Sequence, residues 1–77
     1  LTMSKDELLE YLDETGGAEA AQVAARFGLD YAAGAMALLR LTRQGLAHRA
    51  LDPSRGLLWY QITTRGVERL AYLRSEN

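Results

Sequence analysis

The sequence predicts a small α+β fold: three helices, a β-hairpin and a closing helix, in that order. Three observations predict it. Apolar residues recur at three- and four-residue spacing through three stretches, each opened or closed by capping residues. The period then drops to two on either side of Asp52-Pro53-Ser54-Arg55-Gly56, a run of turn formers. Helical spacing returns after Thr63-Thr64. The chain of 77 residues allows one domain spanning 1–77, with a modest core.

The first helix opens at Ser4-Lys5-Asp6-Glu7, a capping box in which Ser4 and Glu7 satisfy each other's backbone N–H groups. Met3 and Leu8 occupy the two positions of a hydrophobic staple. Leu8, Leu9 and Leu12 form the apolar face, widened by Tyr11, and Thr15-Gly16-Gly17 ends the helix. A short extended piece near Ala18 is compatible with the sequence, but a single residue pair of sheet leaves no pattern.

The second helix runs from about Glu19 to Phe27, with Ala20, Val23, Ala24 and Phe27 on one face and Gly28 as its left-handed cap. Asp30 is the N-cap of a third helix running from Tyr31 to about Gln44 and ended by Gly45. So short a connection forces a sharp turn, a helix-turn-helix at about 19–44. Gly34, Ala37, Leu38 and Leu41 share the face expected to be buried. Ala32, Ala35, Met36, Leu39 and Arg43 share the opposite one. Gly34 costs about 1 kcal/mol against Ala in a helix interior, which suggests that a close helix approach requires it.

The hairpin occupies about 46–62, with strands Leu46 to Leu51 and Leu57 to Ile62. In the second strand Leu58, Tyr60 and Ile62 alternate with Leu57, Trp59 and Gln61. Trp59 reads as packed against the sheet, or as a contact residue if it faces outward. The last helix, at about 64–74, is capped by Thr63 or Thr64 and carries Val67, Leu70, Ala71 and Leu73 on its apolar positions.

Composition excludes several functions. Without cysteine there are no disulfides, thiolate metal sites or cysteine nucleophiles. His48 is the sole histidine, so no histidine zinc cluster forms within one chain, and it reads as a structural or solvated residue. The sequence carries no phosphate loop, nucleophile motif or paired acid–base constellation, which argues against an enzyme and for no cofactor. No apolar run approaches a membrane span, and no signal peptide is visible, so a cytoplasmic location is expected. The net charge of -1 hides a division. Residues 1–39 hold Lys5 and Arg26 against seven acidic residues, whereas residues 40–77 hold seven arginines against three. Such polarity points to an anionic partner, or to solvated charges that happen to fall this way.

Three segments resemble winged-helix regulators of bacteria. Val23-Ala24-Ala25-Arg26-Phe27-Gly28-Leu29-Asp30 resembles their second helix and turn. Leu41-Thr42-Arg43-Gln44-Gly45-Leu46 is similar to the end of their recognition helix. Tyr60-Gln61-Ile62-Thr63-Thr64-Arg65-Gly66 is similar to the strand-to-helix segment of MarR- and PadR-type regulators, where a Thr caps the last helix and a Gly follows three residues later. The resemblance covers about Leu8 to Leu73. A second family of this size, the small winged-helix proteins associated with ferrous-iron transport, is similar only over the helix-turn-helix, and the cysteines many of its members carry are absent here.

The resemblance to the regulators implies double-stranded DNA as partner, the third helix in the major groove and the hairpin wing along the backbone. Arg40, Arg43, Arg49 and Arg55 would then hold phosphates, and Tyr31 would touch a base edge. It also implies a homodimer formed by the terminal helices, where Tyr11 and Tyr72 sit off the main faces. The residues themselves raise an alternative. Ala32, Ala35, Met36 and Leu39 cannot hydrogen-bond a base through their side chains. Tyr31, Ala35, Met36 and Leu39 would instead form a docking surface for a protein partner, unless Met36 and Leu39 belong to the core.

Overall fold

The computed structural model describes residues 4–75. The elements are α1 (Lys5–Thr15), α2 (Ala20–Phe27), α3 (Tyr31–Arg43), β1 (Ala47–Asp52), β2 (Leu57–Ile62) and α4 (Thr64–Ser75). This is the expected α+β order. Boundaries move by a residue where a cap lies outside its helix: Glu19 is the N-cap of α2, not its first residue. Met3, and with it the proposed staple to Leu8, lies outside the described residues.

Caps set the path of the chain. At α1 the Ser4 backbone N–H donates to Glu7 Oε1 at 3.3 Å, and the Glu7 N–H donates to Ser4 Oγ, completing the capping box. At α2 the Glu19 backbone N–H donates to Gln22 Oε1 at 3.0 Å, one half of such a box, and the Gln22 N–H donates to the Glu19 carbonyl at 3.1 Å. Gly28 then takes φ 67°, and the Leu29 N–H returns to the Ala24 carbonyl at 2.9 Å. This left-handed exit turns the chain within three residues. Asp30 Oδ1 restarts it by accepting the Ala33 N–H at 2.7 Å.

The core lies where α1, α2, α3, the base of the hairpin and α4 meet. Leu8, Leu9, Leu12, Val23, Leu38 and Leu70 are its fully buried side chains, each contributing about 1.5–3 kcal/mol of burial. Gly34 sits on the buried face of α3 beside Leu38 and Leu41. A Cβ there would lie 3.1 Å from the Ala20 carbonyl oxygen and 3.2 Å from Ala24, so the bare backbone is what lets α3 rest on α2.

The strands pair antiparallel, from Ala47 opposite Ile62 to Asp52 opposite Leu57. A two-stranded hairpin alone is marginal in water. Here the free edge of β2 is covered by Ala18, which exchanges two backbone hydrogen bonds with Tyr60, at 2.9 and 2.8 Å. The extended piece between α1 and α2 is therefore a one-residue third strand. At the base, Thr63 Oγ1 donates to the Gly45 carbonyl at 2.7 Å and accepts the Gly66 N–H at 3.0 Å, so Thr63 rather than Thr64 caps α4.

Candidate nucleic-acid interface

With Gly34, Leu38 and Leu41 turned inward, helical geometry turns Ala32, Met36, Arg40 and Arg43 outward. Tyr31 and Met36 are 66% and 42% exposed, while Ala35 and Leu39 are half-buried toward the hairpin. Met36 and Leu39 are thus not sealed in the core.

The hairpin rises beside this helix. Its pairing puts Arg49 opposite Tyr60 and Leu51 opposite Leu58. A groove of about 420 Å³ separates α3 from the hairpin, and Tyr31, Ala35, Met36, Leu39, Arg49 and Leu58 line it. The groove is open and mostly apolar; Arg49 is its cation and Glu19, on the α2 side, its anion. Leu51 and Leu58, 62% and 42% exposed, continue the apolar surface toward the wing tip.

The tip is held by Asp52. Its carboxylate accepts the Ser54 N–H at 3.1 Å and the Ser54 hydroxyl at 2.7 Å, and the Gly56 N–H returns to the Asp52 carbonyl at 2.8 Å. The Ser54 hydroxyl foremost, then the backbone N–H groups of Ser54 and Arg55 and the Arg55 charge, hold the Asp52 carboxyl below its ordinary value. Arg55 leans back from the tip. Its guanidinium lies 3.4 Å from Glu19 Oε2 and 6.0 Å from the centre of the Trp59 ring. Trp59 is half-buried, with its ring over Gly17.

The candidate residues therefore divide. Tyr31, Ala35, Met36, Leu39 and Arg49 meet at one groove. Arg43 is exposed at the end of the same helix, and Arg55 stands at the hairpin end, paired to Glu19. Arg40 borders a separate hollow with Ser4, Lys5 and Ala37, toward the start of α1. Tyr72 lies elsewhere, beside Lys5, Arg65 and Arg69. Tyr11 packs into the chain itself, its ring edge-on to Phe27 at 5.7 Å. Arg74 pairs with Glu10 at 3.2 Å across α4 and α1. Sequence reasoning missed the Glu19–Arg55 pair, whose members are 36 positions apart and share no pattern. It also missed the exposure of Leu51 and Leu58.

Among the described residues, no group of three or more His, Asp or Glu side chains is placed to hold a metal ion. No helix among them is long and apolar enough to cross a membrane.

No family model matches the chain, and no curated protein matches it. Solved structures do. A MarR-family transcription regulator superposes with a TM-score of 0.81 at 28% identity, covering 99% of this chain and 51% of its own. A protein described as a probable transcriptional regulator, from Pseudomonas aeruginosa, gives 0.78 at 30% identity, covering 97% and 60%. MarR of E. coli in its apo form gives 0.80 at 17% identity, covering 88% and 51%. The fold is thus the winged helix of MarR-family transcription regulators, with α2 and α3 as the helix-turn-helix and β1–β2 as the wing. The chain spans about half to three-fifths of the length of these structures.

Proposed function

We propose that this chain is a DNA-binding winged-helix domain of a transcriptional regulator, with α3 entering the major groove and the wing following the phosphate backbone. The observation that carries the reading is the juxtaposition of an outward helix face with basic residues at its end and on the hairpin beside it. Arg43 and Arg49 make no ion pair among the described residues, so no intramolecular bond is lost when they meet phosphate. Arg55 would have to leave the half-buried Glu19 carboxylate to meet a phosphate. Arg40 would meet the backbone on the α1 side of the helix. Tyr31, at the helix start, would reach a base edge.

The neighbours are described as regulators, and nothing in the groove assembles an acid, a base and a nucleophile. A non-enzymatic, cytoplasmic role fits this reading. A symmetric dimer would present two α3 helices to half-sites one turn apart. Tyr72, 57% exposed on α4, suits such an interface. Tyr11, committed to Phe27, offers less to it.

The test is a titration of fluorescent random-sequence duplex at two salt concentrations. Each phosphate contact contributes about 0.9 to the slope of log affinity against log salt. Arg43→Gln and Arg49→Gln should each flatten the slope by about that amount. Absence of binding at low salt would refute the proposal.

The exposed apolar surface of Tyr31, Met36, Leu51 and Leu58 favours a second reading. In it the groove docks a protein, either a partner or a second copy, through Tyr31, Ala35, Met36 and Leu39. Sedimentation of the wild type against Met36→Lys tests the second-copy form. A self-association lost in the variant supports it, and a wild type that stays monomeric at all concentrations refutes it.

A further inference from the structure

We infer that the face of α3 beyond Tyr31 reads thymine through its C5-methyl group, by apolar contact, and not through hydrogen bonds to base edges. The inference rests on the DNA-binding reading and names what that helix recognises. Ala32, Ala33 and Met36 are exposed on the first two turns, and Leu39 is half-exposed after them. None of these side chains carries a hydrogen-bond donor, and the Met36 thioether is only a weak acceptor. Asp30, just before the helix, is committed to the Ala33 N–H at 2.7 Å. Its charge would also repel phosphate. The cations come late. Arg40 and Arg43 lie four and seven residues beyond Met36, about 6 and 10 Å along the axis at 1.5 Å per residue, in the last turn of the helix, where phosphate is the nearer target. A face so built meets the major groove with methyl and thioether groups. Among the four bases only thymine presents a methyl there. The alanines shorten the distance at which the helix backbone lies against the groove floor, and Met36 is unbranched and adapts its shape to the methyls it meets.

The chemistry allows a clean comparison. Replacing thymine by uracil in a DNA duplex removes the C5-methyl and leaves every hydrogen-bonding group in place. Burial of one such carbon, at about 0.8 kcal/mol, corresponds to about a fourfold change in affinity. The experiment is a fluorescence anisotropy titration of the wild-type chain with alternating dA-dT and dA-dU duplexes of equal length at one salt concentration. It is repeated with Met36→Ser and Arg49→Gln. The dA-dT duplex should bind at least about fourfold more tightly than dA-dU. Met36→Ser should shrink that ratio, because its exposed side chain can be changed without disturbing the core. Arg49→Gln should weaken both duplexes alike and keep the ratio. Equal affinity for the two duplexes, with binding still salt-dependent, overturns the inference and leaves the DNA-binding reading standing. A ratio unchanged in Met36→Ser overturns the assignment to this face. No binding to either duplex at low salt overturns both readings.

Discussion

Thr63 joins two elements with one hydroxyl. It donates to the Gly45 carbonyl, just past the end of α3, and accepts the Gly66 N–H in the first turn of α4. Loss of an N-cap costs about 0.5–2 kcal/mol, and here the Gly45 bond is lost with it. Thr63→Ala should therefore lower stability by about 1–2 kcal/mol in urea unfolding, and Thr63→Ser should restore most of it. Two aspartates contribute to the acid side of the stability profile. The Ser4 hydroxyl holds the Asp6 carboxyl low, and the Ser54 hydroxyl does the same for Asp52. A carboxyl lowered in the folded state stabilises it fully above its unfolded value, near 3.8, and the contribution is lost as pH falls through the lower folded value. Urea midpoints should thus fall below that range, and the Asp6→Asn, Asp52→Asn double variant should show a shallower fall. Both groups are exposed, so the effect is small.

Close backbone approaches join the elements alongside the buried side chains of the core. Gly66, in the first turn of α4, faces the Leu46 carbonyl so closely that a Cβ would overlap that oxygen and strike Ile62 Cγ1. The carbonyl belongs to the backbone leading into β1 and cannot swing aside. Gly66→Ala should therefore push α4 from the hairpin base, at the upper end of the 1–3 kcal/mol typical of overpacking. Thermal unfolding monitored by circular dichroism measures it. Gly17 is constrained differently, by a φ of 137° together with the Trp59 ring above it. The one-residue bridge at Ala18 ties the wing to the segment joining α1 and α2. Hydrogen exchange should accordingly show the Ala18 and Tyr60 amides protected with the core, and the exposed turn of the wing open.

Across the whole molecule, the seven late arginines do not act as one patch. Arg49 belongs to the groove, Arg40 to the hollow beside α1, Arg65 and Arg69 to the flank of α4, and Arg74 to an ion pair with Glu10. The net charge of -1 gives no long-range attraction to DNA. Any affinity must come from local contacts, so the expected salt slope is modest: at most about 3.6 for Arg40, Arg43, Arg49 and Arg55 together. A steeper slope would mean that Arg65, Arg69 or Lys5 also meets phosphate, or that two chains bind as one.

The order of elements, the caps at Ser4, Gly28, Asp30 and Gly45, and the buried face of α3 were legible in the sequence. Each is a local matter of spacing and backbone preference. The resemblance of the Val23–Asp30, Leu41–Leu46 and Tyr60–Gly66 segments to MarR-type regulators was legible for the same reason, since caps and turns leave residue signatures. The groove was not. It required α3 and the hairpin to be placed side by side, which depends on Gly34 meeting α2, on Gly66 meeting Leu46 and on Ala18 pairing with Tyr60. These are contacts between distant segments through atoms that every residue, or nearly every residue, possesses. The sequence by itself determined which surfaces are greasy and which carry charge. Only the tertiary structure decided that Arg49 faces Met36 across a groove while Arg55 is drawn back to Glu19, because the partner of an exposed charge is chosen by long-range geometry.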